Sequence, residues 1–238
     1  MHRAWLAGLC ALAWGALACA GAPDAPAPGT SAAWGDLRIV PREGVHPAGG
    51  GSASYGDRRL RDVEFVDYSH PGFAVVYVEQ AQPPAGRLEL AIRESRIGTE
   101  IAPAEGVVGA AGHLSLANET AAAHVISYPA AGLVRSLAPG ERAELAVPRA
   151  GEQAVFLLDV PSVAVTVFAA PGAYSVVSST GRFRLTDLPP GPTVVRAWHP
   201  RFPPAAHRID LLADTEVRVD LEIGVGRGDD REGAAHAH

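Results

Sequence analysis

Apolar and polar residues alternate in short runs along most of this chain. In the run 216–223, Val217, Val219 and Leu221 alternate with charged residues, and a period of two predicts a strand with one buried face. No apolar stripe of helical period extends beyond two turns, so the pattern predicts an all-β fold of sandwich type. Further strands are predicted at residues 37–40, 62–68, 73–79, 87–93, 113–118, 123–128, 143–147, 154–159, 163–168, 183–185, 194–198 and 207–212.

The most informative stretch is residues 181–200, GRFRLTDLPPGPTVVRAWHP. Pro189, Pro190 and Gly191 interrupt an alternating strand and predict a turn before a returning strand. The run G-x-F-x-L-x-D-L-P-P-G, with R-A-W-H-P after it, resembles the carboxypeptidase regulatory-like module, a small transthyretin-type β-sandwich. It resembles in particular the version found in methylamine-utilisation-like periplasmic proteins. That resemblance implies a cupredoxin-like Greek-key segment just upstream.

The middle of the chain carries a second resemblance. A glycine, a predicted strand, Asn118 and then His124 resemble the cupredoxin pattern that ends in the first of four ligands to a type 1 copper. The family's other ligands are Cys, His and Met in the pattern C-x-x-H-x-x-M. These positions align with Leu157, Val160 and Val163. The resemblance therefore implies a degenerate copper site, with His124 as a vestigial ligand position.

A blue-copper centre needs a thiolate and two imidazoles, and aliphatic side chains offer no lone pair. We therefore expect no bound metal and no other cofactor, with His124 as a half-buried histidine in the core or at its rim. Copper is the alternative, in a periplasmic copper-binding or electron-transfer protein where other histidines converge. The histidines available for such a site are His46, His70, His113, His199 and His207. Of these, His199 follows Trp198 in the family pattern and is expected to be structural.

We expect no catalytic residues and no enzyme activity. The chain contains no lysine, which excludes a lysine Schiff base. An envelope hydrolase is a second alternative, because Ser69-His70 and Ser178-Ser179 supply hydroxyl groups. The chain lacks the G-x-S-x-G elbow that would place a serine for attack.

The N-terminus predicts export. Residues 1–20 read as a signal peptide, with Arg3 before an apolar run that is short for a membrane span. Ala16-Leu17-Ala18 is a small-x-small cleavage pattern, and Cys19 follows it as a lipidation candidate. Two outcomes stay open: a membrane-anchored lipoprotein, or simple secretion to the periplasm after Ala18 or Ala20. The other cysteine lies inside the signal, so no thiol is expected in the folded body.

Composition limits the class of partner. Charged residues make up 19% of the chain and the formal net charge is -6, which argues against nucleic acid because phosphate contacts need a basic face. Any membrane contact is expected only through a lipid anchor. We expect an exported, non-catalytic binding or accessory protein of the cell envelope, whose partner is a protein, a glycan or peptidoglycan.

These patterns divide the chain into consecutive regions. The strands of residues 35–92 are expected to pair with the C-terminal module, which by itself has few strands for a sandwich. The middle of the chain is then an insertion. The full division is a signal peptide at 1–20, an Ala/Pro-rich linker at 21–34, N-terminal strands at 35–92, a degenerate cupredoxin-like segment at 93–169, the carboxypeptidase regulatory-like module at 170–223 and a flexible tail at 224–238.

Overall fold

The computed structural model describes residues 26–40, 71–80 and 82–224 of the 238-residue chain. Most of these residues lie in β-strands, and the helical structure among them is one short 3-10 helix at Pro129–Ala131. The predicted all-β sandwich fold is confirmed. In chain order the strands are β1 (Ser31–Ile39), β2 (Val75–Val78), β3 (Arg87–Ser95), β4 (Gly98–Ala102), β5 (Glu105–Gly109), β6 (His113–Asn118), β7 (His124–Tyr128), β8 (Leu133–Leu137), β9 (Arg142–Ala146), β10 (Gly151–Leu157), β11 (Ala164–Ala170), β12 (Tyr174–Val176), β13 (Arg182–Leu188), β14 (Gly191–His199), β15 (Phe202–Leu211), β16 (Glu216–Arg218) and β17 (Leu221–Ile223).

Strands β3 to β11 form one sandwich, which we call the middle sandwich. Its two sheets have the strand orders β4-β3-β6-β9 and β5-β11-β10-β7-β8. β3 and β6 are parallel, as are β5 and β11, whereas the other neighbours are antiparallel. Alternation along each strand sends every second side chain inward. The inward residues of both sheets form one apolar core that includes Ile92, Leu116, Ile126, Val155 and Val165.

The remaining strands form a second sandwich, which we call the terminal sandwich. One sheet has the order β13-β1-β16, with β17 also paired to β1, and the other has the order β12-β2-β14-β15. β1 is antiparallel to β13 and parallel to β16 and β17. The core between these sheets includes Leu37, Val76, Leu185, Val195 and Leu221.

The middle sandwich is inserted in the chain between β2 and β12. β1 and β2 precede the insertion, yet they pair with β13 and β14, which follow it. The boundary expected between residues 92 and 93 falls inside β3, and the expected linker overlaps β1, which begins at Ser31. The strand predicted at 62–68, the signal peptide and nearly all of the tail lie outside the described residues.

Aromatic rings join the two sandwiches. Phe168 on β11 stacks on Trp198 of β14 with ring centroids 4.6 Å apart, and it also meets Tyr77 of β2 at 5.0 Å. Phe73 packs edge-on against Trp198 at 6.0 Å. Phe168 faces outward from the middle sandwich but is only 3% exposed, because the terminal sandwich covers it. The contact is therefore a true packing interface between the two units.

Candidate functional site

His124 is the first residue of β7, and the buried amide of Asn118 shapes the loop before it. The Asn118 Nδ2 group donates to the carbonyls of Ala122 at 2.8 Å and Leu137 at 3.0 Å. Its Oδ1 accepts from the backbone N–H of Thr120 at 3.0 Å and lies 2.8 Å from the Thr120 hydroxyl. Asn118 is 1% exposed, and its amide is fully hydrogen-bonded. It therefore fixes the conformation of the loop that precedes His124.

Both ring nitrogens of His124 have a side chain as their hydrogen-bond partner. A carboxylate can only accept, so Nδ1–H donates to Asp159 Oδ2, at 2.7 Å. The Nε2 atom lies 3.0 Å from the Thr120 hydroxyl oxygen. His124 is 4% exposed, so it is more deeply buried than the half-buried position expected from the sequence. The ring is therefore part of a closed hydrogen-bond network.

Asp159 ties the loop after β10 to the start of β7. Its Oδ1 accepts from the Val125 N–H at 2.8 Å, while Oδ2 accepts from His124. Desolvation opposes ionisation of Asp159, but these two hydrogen bonds and a third from its own backbone N–H help to hold the pKa of the carboxyl below its ordinary value. The carboxylate is thus charged at neutral pH and serves two partners at once.

The segment aligned with the missing copper ligands does lie beside His124. Its backbone donates to the Val125 carbonyl at 2.8 Å, and Leu157 N–H donates to Val163 O at 3.0 Å. Leu157 is buried, and Val160 and Val163 pack against the same core. These three side chains have no lone pairs, and the His124 nitrogens already have partners. The residues present do not fit a type 1 copper centre.

The network also has the order of a hydrolytic triad. Thr120, His124 and Asp159 stand as hydroxyl, imidazole and carboxylate, which is the order of nucleophile, base and orienting group. Thr120 is only 7% exposed, however, and its hydroxyl also lies 3.1 Å from the Ala122 carbonyl. A substrate carbonyl needs open space beside the nucleophile. This arrangement is therefore suited to holding a loop.

Sequence reasoning missed Thr120 and Asp159 as the partners of His124. Asp159 was placed at the end of a predicted strand, whereas β10 ends at Leu157 and Asp159 lies in the following loop. One signal was present in the sequence: a buried histidine needs polar partners, and polar residues just beyond strand ends are the ones able to reach it. Spacing alone does not say which of several such residues does so.

The other histidines do not assemble around His124 in the described part of the chain. His199 is buried, with its Nε2–H donating to the Pro71 carbonyl at 3.0 Å and its Nδ1 accepting from the Arg201 N–H at 3.0 Å. His113 and His207 are exposed. Among the described residues, no three His, Cys, Asp or Glu side chains form a metal-binding group. His46, His70 and the lipidation candidate Cys19 lie outside those residues.

A second candidate site is an exposed tryptophan on the outer face of the terminal sandwich. Trp34, on β1, is directly opposite Arg184 on β13 and Arg218 on β16. It is 38% exposed, and the Arg218 guanidinium carbon lies 5.3 Å from the ring centroid, a cation–π contact. We call Trp34, Asp36, Arg184, Glu216 and Arg218 the tryptophan surface.

Carboxylates alternate with the arginines on the tryptophan surface. Arg184 Nη2 donates to Glu216 Oε1 at 2.6 Å, and Arg218 Nη2 donates to Asp36 Oδ2 at 3.1 Å. The hydrogen bond from Arg184 lowers the pKa of Glu216. The surface therefore presents one aromatic ring among charged donors and acceptors. An aromatic body with polar groups around it can bind an amphipathic ligand.

Comparison with known proteins assigns no family. No protein-family model and no curated protein matches the chain. Among solved structures, the chain is similar to a purple cupredoxin from Nitrosopumilus maritimus at 16% identity, with 35% of this chain and 99% of that chain covered and a TM-score of 0.31. A likeness of this strength carries no inference about function. Within residues 26–40, 71–80 and 82–224, no helix is both long and apolar enough to cross a membrane.

Proposed function

We propose that this protein is an exported, non-catalytic binding or accessory protein of the cell envelope, and that a glycan, such as a peptidoglycan strand, binds the tryptophan surface. The observation that carries the proposal is Trp34, which is exposed between two arginines on an open sheet face. The apolar face of a sugar ring packs on indole, while sugar hydroxyls exchange hydrogen bonds with guanidinium and carboxylate groups. A protein partner is the competing outcome.

The test is co-sedimentation with purified peptidoglycan sacculi. Trp34→Ala is expected to weaken retention at least about tenfold, because it removes the aromatic platform. The matched control is Ile97→Ala, which trims an exposed aliphatic residue in the β3–β4 turn and should bind like the parent. A parent protein that does not sediment with sacculi would redirect the search to protein partners. If the parent and Trp34→Ala are retained equally, the glycan binds at a site other than the tryptophan surface.

We further propose that the middle sandwich descends from a copper protein whose site was filled with aliphatic side chains. Leu157→Cys, Val160→His and Val163→Met together would rebuild the missing ligands. Because Asp159 holds the Nδ1 of His124, the design needs Asp159→Ala as well. This quadruple variant is expected to give a coloured Cu(II) complex and a higher melting temperature with added copper.

Two controls make the copper test decisive. Adding His124→Ala to the quadruple variant should abolish both the colour and the thermal shift. The triple variant that keeps Asp159 should bind copper more weakly, since the carboxylate competes with copper for the His124 imidazole. A folded quadruple variant that stays colourless and shows no shift would refute the proposed ancestry. Stoichiometric copper in the protein purified from its own source would instead favour the copper-binding alternative.

Export is tested by the mass of the native chain. Cleavage after Ala18 or Ala20 gives chains that begin at Cys19 or Gly21, and lipidation adds the mass of the acyl groups to Cys19. A native protein that retains residues 1–17 would contradict export.

A further inference from the structure

The outer face of the sheet that carries Trp34 continues beyond the tryptophan surface. Side chains two positions apart on a strand point to the same side, so Trp34, Asp36 and Arg38 of β1 all face outward. Arg182 of β13 lies directly opposite Asp36, and Glu222 of β17 lies opposite Arg38. This face therefore carries two further arginines beside the tryptophan surface.

The two further arginines line a cleft of about 610 Å³ at the C-terminal end of β1. We call it the arginine cleft, and its lining includes Asp36, Arg38, Pro71, Thr180, Arg182 and Glu222. Asp36 also belongs to the tryptophan surface. The cleft and the tryptophan surface are therefore parts of one continuous surface.

The arginines of the cleft differ from those beside Trp34 in their partners. Arg184 and Arg218 are each hydrogen-bonded to a carboxylate. Within residues 26–40, 71–80 and 82–224, no hydrogen bond or ion pair engages the guanidinium group of Arg38 or Arg182. Both residues are exposed. Their donors are therefore available to a ligand that brings acceptor oxygens.

Carboxylates also lie beside the arginine cleft, and they restrict which anion can bind. Asp36 and Asp220 both accept from Arg218, at 3.1 and 3.2 Å. Glu222 lies opposite Arg38, and its charge repels a bare anion. A ligand that has hydroxyl groups as well as a carboxylate can donate to Glu222 and accept from the arginines. The cleft therefore suits a sugar acid better than a simple anion.

We propose that the arginine cleft binds a carboxylate borne by a sugar ring, so that the glycan is an acidic one; this inference rests on the glycan binding proposed for the tryptophan surface. Arg38 and Arg182 are diagonal neighbours on adjacent antiparallel strands, where Cα atoms lie about 7–8 Å apart. Side chains of this length can reach one carboxylate together. The formal net charge of -6 repels an acidic polymer at long range, so binding depends on these direct contacts.

The spacing along β1 sets a minimum length for the ligand. Arg38 follows Trp34 by four positions, which corresponds to about 13 Å at the rise of a strand. This distance is longer than one sugar ring. A glycan with one ring on Trp34 and a carboxylate in the arginine cleft therefore extends along β1 over at least two rings.

The test is isothermal titration calorimetry of the purified exported chain with a short oligogalacturonate and with its methyl ester, which lacks the charge. The parent is expected to bind the acid at least about tenfold more tightly than the ester, because hydrogen bonds to charged groups are the stronger ones. Arg38→Gln and, separately, Arg182→Gln should each remove most of this preference. Arg182→Lys, which keeps the charge without the planar fork, should retain part of it.

The matched control is Arg96→Gln, in the β3–β4 turn. Arg96 is exposed and lies outside both parts of the surface, so this variant loses the same charge and should keep the preference of the parent. Near-ultraviolet circular dichroism verifies that each variant keeps the parent fold. Displacement of the oligogalacturonate by an equal concentration of the dipeptide alanyl-glutamate would overturn the assignment to a sugar.

The results distinguish this inference from the proposed function. Equal affinity for the acid and the ester overturns the inference, and so does a preference that survives both Arg→Gln changes. A parent that binds neither ligand overturns it as well. Retention on sacculi and its loss in Trp34→Ala test glycan binding separately, because that comparison does not involve Arg38 or Arg182.

Discussion

Each sandwich buries one well-defined histidine, and the two histidines are held by different kinds of partner. In the middle sandwich, the ring nitrogens of His124 meet the side chains of Asp159 and Thr120. In the terminal sandwich, the ring nitrogens of His199 meet the backbone carbonyl of Pro71 and the backbone N–H of Arg201. Both rings are less than one-tenth exposed.

The difference fixes the protonation state at His199. A backbone N–H always donates and a carbonyl always accepts, so His199 is fixed as the neutral tautomer with its proton on Nε2. At His124 the partners are side chains, and one of them, the Thr120 hydroxyl, also donates to Asn118 Oδ1 at 2.8 Å. The backbone therefore orients the ring of His199, whereas a network of side chains orients the ring of His124.

The largest effect is expected at the contact between the two sandwiches. We expect the two sandwiches to unfold together in the parent protein, and Phe168→Ala tests this. The change removes a buried ring that stacks on Trp198. Truncating a buried phenylalanine costs about 3–5 kcal/mol of unfolding free energy. We expect scanning calorimetry to resolve two transitions in place of one, because the interface no longer couples the two units.

The matched control is Phe156→Ala, on the neighbouring strand of the same sheet. Phe156 faces the same side but is 40% exposed, so we expect its truncation to cost less than about 1 kcal/mol. Equal losses from the two variants would mean that the aromatic contact with Trp198 does not hold the units together.

Breaking the side-chain network of the middle sandwich should have the next largest effect. Asn118→Ala leaves the buried Leu137 carbonyl and the Thr120 N–H without their partner. We expect a loss of about 3 kcal/mol in urea unfolding, since each unpaired buried group costs about 1–3 kcal/mol. The neighbouring exposed residue gives the control: Glu119→Ala should change stability by less than about 0.5 kcal/mol. If Asn118→Ala is as stable as the parent, the loop does not depend on the amide.

The pH dependence of stability should separate the two histidine sites. Burial lowers the pKa of His199 below its ordinary value of 6.5, and the nearby Arg201 cation lowers it further, against the opposing hydrogen bond to the Pro71 carbonyl. The unfolded chain therefore takes up this proton at a higher pH than the folded chain. The stabilising contribution is complete above pH 6.5 and decreases as the pH falls towards the folded-state value. The unfolding free energy of His199→Gln, measured in urea, should depend less on pH in this window than that of the parent. If the two free energies have the same slope against pH, the fixed tautomer is contradicted.

The contribution of Asp159 to stability should change only in more acidic solution. Although desolvation raises its pKa, the hydrogen bonds from Val125 and His124 hold the pKa below its ordinary value of 3.8. Its contribution is therefore present above pH 3.8 and is lost as the pH falls through the folded-state pKa. Asp159→Asn should flatten the acid limb of the stability curve measured by urea unfolding. An acid limb as steep as that of the parent would contradict this prediction.

Several elements could be predicted from the sequence because their local pattern is strong. The strand at residues 113–118 is found as β6, and the Pro189-Pro190 break separates β13 from β14 as predicted. Strands β4, β5, β8 and β12 were not predicted. β4, β8 and β12 bury at most one side chain each, so their sequences show little alternation of apolar and polar residues. β5 has the sequence EGVVG, in which two adjacent valines lie between glycines and no alternation is visible.

The role of Asp187 shows where local reasoning stopped. The run D-L-P-P-G predicts an aspartate that stabilises its own turn. In the structure Asp187 lies within β13 with φ 57°, and its Oδ1 accepts from the N–H of Ala27 at 3.2 Å. Ala27 precedes it by 160 residues. No local pattern can identify a partner at that distance.

The sequence by itself determined the all-β class, the tight turn after β13 and the aliphatic character of Leu157, Val160 and Val163, because these depend on residue type and short spacing. The tertiary structure alone decided that Asp159 and Thr120 hold His124, that Phe168 is covered while Phe156 is exposed, and that Trp34 stands between Arg184 and Arg218. Each of these depends on the order of strands in a sheet. That order follows from the packing of two cores and from an insertion between β2 and β12, and it cannot be derived from any single strand.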